Sequence, residues 1–269
     1  MASPISVITP AYNEAERLGE TLRAICDYLA HHFPGSELIV VDDGSTDETV
    51  VTAKQAFARA HNVQTILISN PLNRGKGHAV RTGLLAARNP TALFSDADLS
   101  TPITEMPKLI SAIQHGCHVA VGSRAIDRNL IGVRQPWRRE QGGRAFNAFV
   151  RLATGLPFWD TQCGFKAFDM GACRPIIEAA TIDRFGFDVE LLYVAHLAGL
   201  RLEEKAVRWN HYEGSKVDIL RDSRRMFSET MLIRRQARRG VYDKAIRAVH
   251  SSLVRKKEMP VDFCHLYEH

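Results

Sequence analysis

Two aspartates close together in the chain have the chemistry of a metal site. Asp96 and Asp98 follow an apolar run, residues 91–94, that has the length and composition of a short buried strand. Alternate residues of a strand share a face, so both carboxylates can point the same way. Carboxylate oxygens suit hard divalent cations such as Mg²⁺ or Mn²⁺, which often share them with a substrate diphosphate. The pair therefore predicts a metal site, although the same pattern also occurs in solvated turns.

Three other polar segments suit a nucleotide. The ring of Tyr12 can contact a nucleobase, and the carboxylate of Asp42 or Asp43 can accept a hydrogen bond from a ring N–H. Arg74 and Lys76, which are separated by a glycine, suit a diphosphate. Each segment alone is also compatible with a helix cap or a surface loop. The chain lacks the glycine patterns of dinucleotide-binding and P-loop sites, so we expect a different kind of nucleotide site.

These segments follow predicted strands. The β-branched runs 5–9, 37–41 and 63–68 are each followed by a helical pattern, and the run 91–94 completes a βαβαβαβ order. This order predicts an α/β fold with a Rossmann-like, mostly parallel sheet and helices on both faces. Ligands of such sheets bind beyond the carboxyl ends of the strands. We therefore expect the four polar segments to form one site.

Seven short segments carry a family resemblance: residues 9–14, 41–47, 73–77, 96–98, 122–124, 160–166 and 214–216. The first four resemble family 2 glycosyltransferases of the GT-A fold. The full set is similar to polyprenyl-phosphate glycosyltransferases, especially dolichyl-phosphate β-glucosyltransferases. The resemblance covers the chain from about Ile5 to about Arg239 and is weak for the identity of the sugar.

The resemblance implies a nucleotide-sugar donor and a divalent cation, Mg²⁺ or Mn²⁺. It implies catalytic roles for Asp96, Asp98 and Arg124, with the two aspartates as metal ligands. The residues that it assigns to the nucleotide sugar are Pro10, Tyr12, Asn13, Glu14, Asp42, Asp43, Arg74, Lys76, Asp96, Ala97 and Asp98.

An arginine-rich stretch is the predicted acceptor site. Seven arginines and two acidic residues lie between Arg124 and Arg151, and arginine matches phosphate oxygens in a bidentate manner. Arg124 ends a predicted strand, 118–123, at the same sheet edge, and Arg134 follows in a loop. The resemblance places such arginines on a lipid phosphate and adds Gln162 and Lys216 to the acceptor site, although Lys216 is also compatible with a solvated position.

The expected reaction is inverting transfer of a hexose, glucose from UDP-glucose, to a polyprenyl phosphate. Four alternatives stay open. They are mannose transfer from GDP-mannose, transfer to a soluble saccharide, nucleotidyl transfer, and a non-catalytic module that binds a nucleotide sugar or nucleic acid. A nucleic-acid partner is not expected for the enzyme, and homo-oligomer formation is left open.

Length and composition predict the domain organisation and the cellular location of the protein. The 269 residues predict one glycosyltransferase domain over 1–240 and a basic C-terminal extension over 241–269. The five scattered cysteines and the absence of a long apolar run predict a cytoplasmic protein. Residues 221–257 hold 12 Lys or Arg and 3 Asp or Glu, although the net charge of the whole chain is only +5. This basic, partly apolar stretch predicts a peripheral contact with an anionic membrane at its cytosolic face, with a solvated helix as the alternative.

Overall fold

The computed structural model describes residues 3–133, 135–211 and 219–258. Short β-branched runs form the strands, and nearly every residue of the central strands is buried, as expected where helices cover both faces of a sheet. The strands are β1 (Ser6–Ala11), β2 (Glu37–Asp42), β3 (Gln64–Ser69), β4 (Thr91–Ser95), β5 (Val119–Ser123), β6 (Phe165–Asp169) and β7 (Leu202–Ala206).

The helices arise from apolar residues at three-to-four spacing, which is clearest in the first helix, where Leu18, Leu22, Ile25 and Leu29 are all buried. The helices are α1 (Ala15–His32), α2 (Thr49–Phe57), α3 (Lys76–Ala86), α4 (Met106–Gln114), α5 (Trp137–Thr154), α6 (Met170–Ala179), α7 (Phe187–Leu197), α8 (Ile219–Arg238) and α9 (Asp243–Glu258).

The strands form one sheet in the order β3-β2-β1-β4-β6-β5-β7. Strand β6 runs antiparallel to its neighbours β4 and β5, and the other pairs are parallel. The predicted mostly parallel sheet is therefore confirmed. Because β6 is reversed, the segment that precedes it lies at the edge where the parallel strands end.

Two apolar cores cover the two faces of the sheet. Leu38 and Val40 of β2 face the core that is formed with α1, α2 and α4. Ile39 and Val41 face the core that is formed with α3, α6 and α7, as the two-residue period of a strand requires. The predicted helices on both faces are thus present.

Helices α8 and α9 extend the second core. Ile233, Tyr242 and Val249 are fully buried, and α9 packs along α6. The predicted domain division at residue 240 falls in the turn between α8 and α9, and it stays a prediction. None of the described helices is long and apolar enough to span a membrane. Cys26, Cys117, Cys163 and Cys173 are buried free thiols.

Candidate active site

The predicted donor and acceptor loops meet at one edge of the sheet. Strands β1, β2, β3, β4 and β5 end there, and β6 begins there, since Ser95 at the end of β4 pairs with Phe165 at the start of β6. The predicted donor segments therefore lie beside the segment before β6. This is the edge at which open α/β sheets bind ligands.

Asp43 holds the donor loop in place. The loop, residues 73–77, turns at Gly75, where φ is +121°. The carboxylate of Asp43 accepts hydrogen bonds from the backbone N–H of Gly75 at 2.7 Å and of Arg74 at 3.2 Å. Asp43 is 2% exposed, and Asn70 also donates to it. The carboxylate of the adjacent Asp42 accepts from the backbone N–H of Ser45. Contact of either aspartate with a nucleobase stays a prediction.

The donor loop lies directly against residues 182–184. A Cβ atom on Gly75 would lie 2.5 Å from the backbone oxygen of Asp183, and one on Gly77 would lie 2.6 Å from that of Ile182. No other residue type fits at either position without a shift of the backbone. The carboxylate of Asp183 also binds Arg74 at 2.9 Å and Arg81 at 2.6 Å. These contacts fix the loop from the side opposite Asp43.

Lys76 and Asp96 meet in an ion pair, with Nζ and Oδ1 2.6 Å apart. Burial opposes the charge on Lys76, but the carboxylates of Asp96 and Asp188 outweigh it, so the pKa of Lys76 is raised. Asp96 in turn packs against Gly164, where a Cβ atom would lie 1.9 Å from Oδ2. The backbone N–H of Asp96 donates to the Gly164 carbonyl. The structure thus brings together two predicted donor residues from different loops.

Asp98 is half-buried, and its Oδ1 accepts a hydrogen bond from the backbone N–H of Ser100 at 2.9 Å. Within the described residues, no cluster of three or more His, Cys, Asp or Glu is present. Asp96 and Asp98 supply two carboxylates, a donor set that fits Mg²⁺ or Mn²⁺ when substrate oxygens and water complete the coordination. Asp96 and Asp98 therefore fit a metal site that the protein shares with substrate and water, rather than one in which every ligand comes from the protein.

A second pair of loops forms the other side of the donor site. Asn13 has a positive φ of 54°, and its Oδ1 accepts from the backbone N–H of Thr46 at 2.8 Å. Its own backbone N–H donates to Ser45 Oγ at 2.8 Å. Tyr12 is exposed beside it, and the Glu14 carboxylate pairs with Arg17. Asn13 therefore ties the loop after β1 to the loop after β2.

The other predicted donor residues occupy less open positions. Pro10 is a buried residue within β1, opposite Val41. Ala97 is buried, and its carbonyl accepts from Thr21 Oγ1 at 2.6 Å. Donor contacts by these two residues stay predictions.

Arg124 is held by a buried carboxylate. Its Nε and Nη2 bind the Asp160 carboxylate at 2.6 and 2.7 Å, and its backbone N–H donates to the same group. Burial works against the charged form of Asp160, but Arg124 outweighs it and lowers the pKa of Asp160. The guanidinium lies over the Trp209 ring, 5.5 Å from its centroid. Its Nη1 has no hydrogen bond to a described residue, so it can donate to a ligand.

Beside Arg124 lies a cavity of about 420 Å³ between α5 and the loop before β6. Four arginines and two tryptophans among the described residues contribute to its wall. Asp160 and Glu140 are the acidic residues of that described lining, and Glu140 binds Arg128 at 2.5 Å and Arg144 at 3.1 Å. We call this space the arginine cavity. The six basic and aromatic residues are Arg124, Arg128, Arg144, Arg151, Trp159 and Trp209.

Gln162 carries an unpaired amide at the same edge. Its Nε2 atom is shielded from solvent and has no hydrogen-bond partner among the described residues. A buried amide group without a partner is costly, so this position suits contact with a polar ligand. The other two predicted acceptor residues, Arg134 and Lys216, lie outside the described residues.

A buried ion pair lies beneath the donor loop. Lys166 Nζ and Asp188 Oδ1 are 2.6 Å apart, and both side chains are almost fully buried. Burial raises the pKa of Asp188, and Lys166 offsets part of this effect. The ammonium groups of Lys166 and Lys76 both lie near the ring of Phe94.

The sequence motifs do not indicate which residues hold the predicted ligands in position. Asp160, Gly164 and Asp183 hold Arg124, Asp96 and Arg74, respectively. Asp160 and Gly164 lie in a segment that was noted for its family resemblance, which was the available signal for them. Asp183 had no comparable signal, because its partner Arg74 is 109 residues away.

Comparisons with known proteins agree with this geometry. A family model described as glycosyl transferase family 2 matches residues 6–168. A Drosophila melanogaster protein named dolichyl-phosphate beta-glucosyltransferase is 37% identical over 226 residues, which cover 79% of this chain and 69% of that protein. The human protein of the same name is 33% identical over 226 residues, 79% of this chain and 69% of that protein.

Solved structures show the same fold. A structure described as that of a mycobacterial protein superposes with a TM-score of 0.64 at 24% identity and covers 86% of this chain and 74% of its own. Mycobacterium tuberculosis glucosyl-3-phosphoglycerate synthase gives a TM-score of 0.60 at 21% identity, with 86% and 80% coverage. The predicted GT-A fold is confirmed. The chain belongs to glycosyl transferase family 2, the family predicted from its motifs.

Proposed function

We propose that this glycosyltransferase transfers glucose from UDP-glucose to a polyprenyl phosphate and inverts the anomeric configuration. The observation that carries the proposal is the junction of two sites at one sheet edge. The donor loop meets Asp96 through Lys76, and the arginine cavity opens beside Arg124. The names of the relatives support glucose as the sugar and a dolichyl phosphate as the acceptor.

The arginine cavity suits a phosphate monoester attached to an apolar chain. Arginine donates paired hydrogen bonds to phosphate oxygens, and the rings of the exposed Trp159 and the partly buried Trp209 can pack against a hydrocarbon. Glu140 already bridges Arg128 and Arg144 in the way that an acceptor phosphate would. An acceptor phosphate is anionic near neutral pH, so it requires orientation rather than removal of a proton. Arg124, fixed by Asp160, would supply that orientation through its free Nη1.

The donor loop would stabilise the departing diphosphate. Arg74, Lys76 and the backbone amides of the loop can bind its oxygens, where negative charge develops in the transition state. A divalent cation, Mg²⁺ or Mn²⁺, would be held by Asp96 and Asp98 and would supply further positive charge to the same group. Attack by the acceptor phosphate on the opposite side of the anomeric carbon then gives a β-linked product from an α-linked donor in a single displacement.

The outer faces of α5 and α8 support a peripheral membrane contact. Phe227, Met231 and Leu232 of α8 are partly exposed, and Phe227 stacks on Phe149 of α5 with ring centroids 4.1 Å apart. Leu152 of α5 is 89% exposed. We call this surface the α5–α8 face. The arginines that line the same groove are Arg234, Arg235, Arg238 and Arg239.

Apolar side chains flanked by arginines match the chemistry of an anionic bilayer surface. Helix α5 borders both the α5–α8 face and the arginine cavity, since Phe149 lines the first and Arg144 and Arg151 line the second. A lipid phosphate could therefore reach Arg124 from a membrane bound at this face. We propose that the protein acts at the cytosolic face of a membrane.

A donor screen with a short polyprenyl phosphate tests the proposed reaction. UDP-glucose, UDP-galactose and GDP-mannose are each supplied with Mg²⁺ or Mn²⁺, and products are identified by mass spectrometry. We expect a glucosyl lipid phosphate in the organic phase and UDP in the aqueous phase. Mannose transfer from GDP-mannose, product in the aqueous phase alone, or release of pyrophosphate would each contradict the proposal. A variant with Arg124→Ala provides the matched control, since it should lose acceptor use and retain UDP binding.

A further inference from the structure

The segment 182–184 forms a second wall of the donor loop. The backbone N–H of His78 donates to the Asp183 carbonyl at 2.9 Å, and the loop glycines leave no room for a Cβ atom against this segment. The Arg184 side chain begins next to the place where this segment contacts Gly75. Its Cγ lies 2.8 Å from where a Cβ of Gly75 would be. The stem of Arg184 is therefore packed on the turn that the sequence assigns to a diphosphate.

Among the described residues around the donor loop, Arg184 is a cation without an ion-pair partner. Arg74 and Arg81 share the Asp183 carboxylate, and Lys76 is paired with Asp96. Arg184 is only partly exposed, yet its guanidinium makes no hydrogen bond or ion pair with any described residue. A guanidinium that keeps all its donors, on a stem packed against the donor loop, can bind a ligand with several anionic oxygens.

We propose that Arg184 is a further ligand of the donor diphosphate and that Asp183 positions Arg74 for the same group. The inference rests on the proposed nucleotide-sugar donor and adds to the proposed site a cation from the loop before α7. In this arrangement the stem of Arg184 packs on the donor loop, and its guanidinium binds the same diphosphate as that loop. The ion pairs of Arg74 and Lys76 partly neutralise the positive charge of those two side chains. Arg184 adds a positive charge that is not neutralised in this way.

Titration calorimetry of the full chain with UDP and with uridine tests this role. Arg184→Gln retains most of the packed stem and removes the charge, so UDP should bind about tenfold more weakly or worse, in line with the strength of a charge-assisted hydrogen bond. Uridine affinity should stay at the wild-type value, because uridine has no diphosphate. UDP binding by the variant should also depend less on salt, and Arg184→Lys should recover part of the affinity.

Arg88→Gln is the matched control, since Arg88 is exposed and precedes β4 at the opposite edge of the sheet. Asp183→Asn should weaken UDP binding as well, with uridine again unaffected. Wild-type UDP affinity in Arg184→Gln would overturn the inference while leaving the proposed function intact. An equal loss of uridine binding would also overturn it, because it would indicate a distorted loop. If the wild-type chain binds neither UDP nor GDP, the proposed function fails, and this inference fails with it.

Discussion

At the scale of single residues, the charged groups of the site are fixed before a ligand arrives. Arg124 is held by Asp160, and Lys76 is held by Asp96. Groups that are already oriented need little reorganisation when charge develops during a reaction, so the free-energy cost is small. The proposed role of Arg124 therefore depends on Asp160, a residue to which no substrate contact is assigned.

Gly164 provides a direct test of this dependence. Gly164→Ala introduces a Cβ at 1.9 Å from Asp96 Oδ2, and the backbone at this position does not itself require glycine, so the Asp96 carboxylate must move. A displacement of about 1 Å at a reacting centre can cost up to roughly 100-fold in rate. We expect the steady-state kcat for glucosyl transfer to fall tenfold or more, while the melting temperature changes by only a few degrees.

Gly142→Ala is the matched control for that substitution. Gly142 lies inside α5 with no atom within 4 Å of the added Cβ. The change should raise the free energy of unfolding by about 0.5–1 kcal/mol, because alanine is the better helix former, and leave kcat unchanged. A full loss of activity in Gly142→Ala, or full activity in Gly164→Ala, would contradict the assignment of Asp96.

A substitution at Asp98 tests the proposed metal site. Asp98→Asn keeps an oxygen that can accept from the Ser100 N–H but removes a negative charge. We expect the melting temperature to stay near the wild-type value and turnover to fall by roughly 100-fold or more, because counter-charge for the leaving group is lost. Binding of Mn²⁺ in the presence of UDP, followed by electron paramagnetic resonance, should be lost as well. Asp27→Asn on the exposed face of α1 is the control, and unchanged wild-type turnover in a chelator would refute the metal site.

Sequence patterns predicted the candidate ligands of the site but not the residues that hold those ligands in place. Asp96, Asp98 and Lys76 could be predicted because each follows a recognisable strand or glycine turn. Asp160 and Asp183 act on arginines that lie 36 and 109 residues away, and no local pattern encodes such a contact. Contacts of this kind follow from the strand order, which is set by the packing of the whole chain.

At the scale of secondary structure, strand existence was predicted better than strand direction. The runs 5–9 and 37–41 became β1 and β2 with small shifts at their ends. Burial on both faces gives the same apolar run whether a strand is parallel or antiparallel, so nothing in residues 165–169 indicated the reversal of β6. That reversal is what brings Asp160 and Gln162 to the active edge.

Tyr242, in the turn between α8 and α9, is attached through Glu190 of α7 to the loop before that helix. Tyr242 donates to Glu190 Oε1 at 2.7 Å, and Glu190 also accepts from the backbone N–H groups of Thr181 and Ile182. Burial, together with the Glu190 carboxylate, raises the pKa of Tyr242. The folded state therefore favours the neutral phenol over the phenolate.

The pH dependence of stability follows from that direction. The contribution of Tyr242 is complete below about pH 10, the ordinary pKa of the unfolded tyrosine, and is lost as the pH rises above it. Tyr242→Phe should lower the free energy of unfolding at pH 8 by about 1.5–3 kcal/mol, the value of a hydrogen bond to a charged group. Urea titrations should show the difference between the two proteins shrinking above pH 10. A difference that is constant from pH 8 to pH 11 would exclude this role.

At the scale of the whole molecule, two arginine-lined surfaces border the same helix, α5. The arginine cavity and the α5–α8 face both contain exposed or half-exposed arginines, whereas the net charge of the chain is only +5. Charge that is clustered in this way attracts an anionic surface at low ionic strength and is screened by salt. Sequence composition predicted the basic stretch, but only the structure separates its exposed residues from Ile233, which is buried.

Vesicle sedimentation tests the membrane contact. Replacement of Arg234, Arg235, Arg238 and Arg239 with Gln should weaken binding to vesicles that contain anionic lipid, by roughly 1 kcal/mol for each residue near the surface. Binding by the wild-type protein should fall as salt rises, and UDP affinity should be the same in both proteins.

The matched control removes four exposed charges elsewhere, at Arg23, Lys54, Arg59 and Arg88. This control variant should bind anionic vesicles nearly as well as the wild-type protein. Equal binding by the α8 variant would show that its arginines are merely solvated, and equal loss in both variants would indicate a response to net charge alone.

The position of β6 also determines how the chain can fold during synthesis. Strand β4 must pair with a segment seventy residues further along, since Ser95 lies opposite Phe165, and β5 cannot join the sheet until β6 separates it from β4. A nascent chain that ends before residue 165 can build β1 to β4, but it keeps one open edge of buried, apolar character. Such an edge is a template for pairing with other chains. Translational pausing or truncation before β6 should therefore produce a species that requires chaperones, whereas completion of β6 covers the edge of β4 and brings Asp160 to Arg124 in the same step.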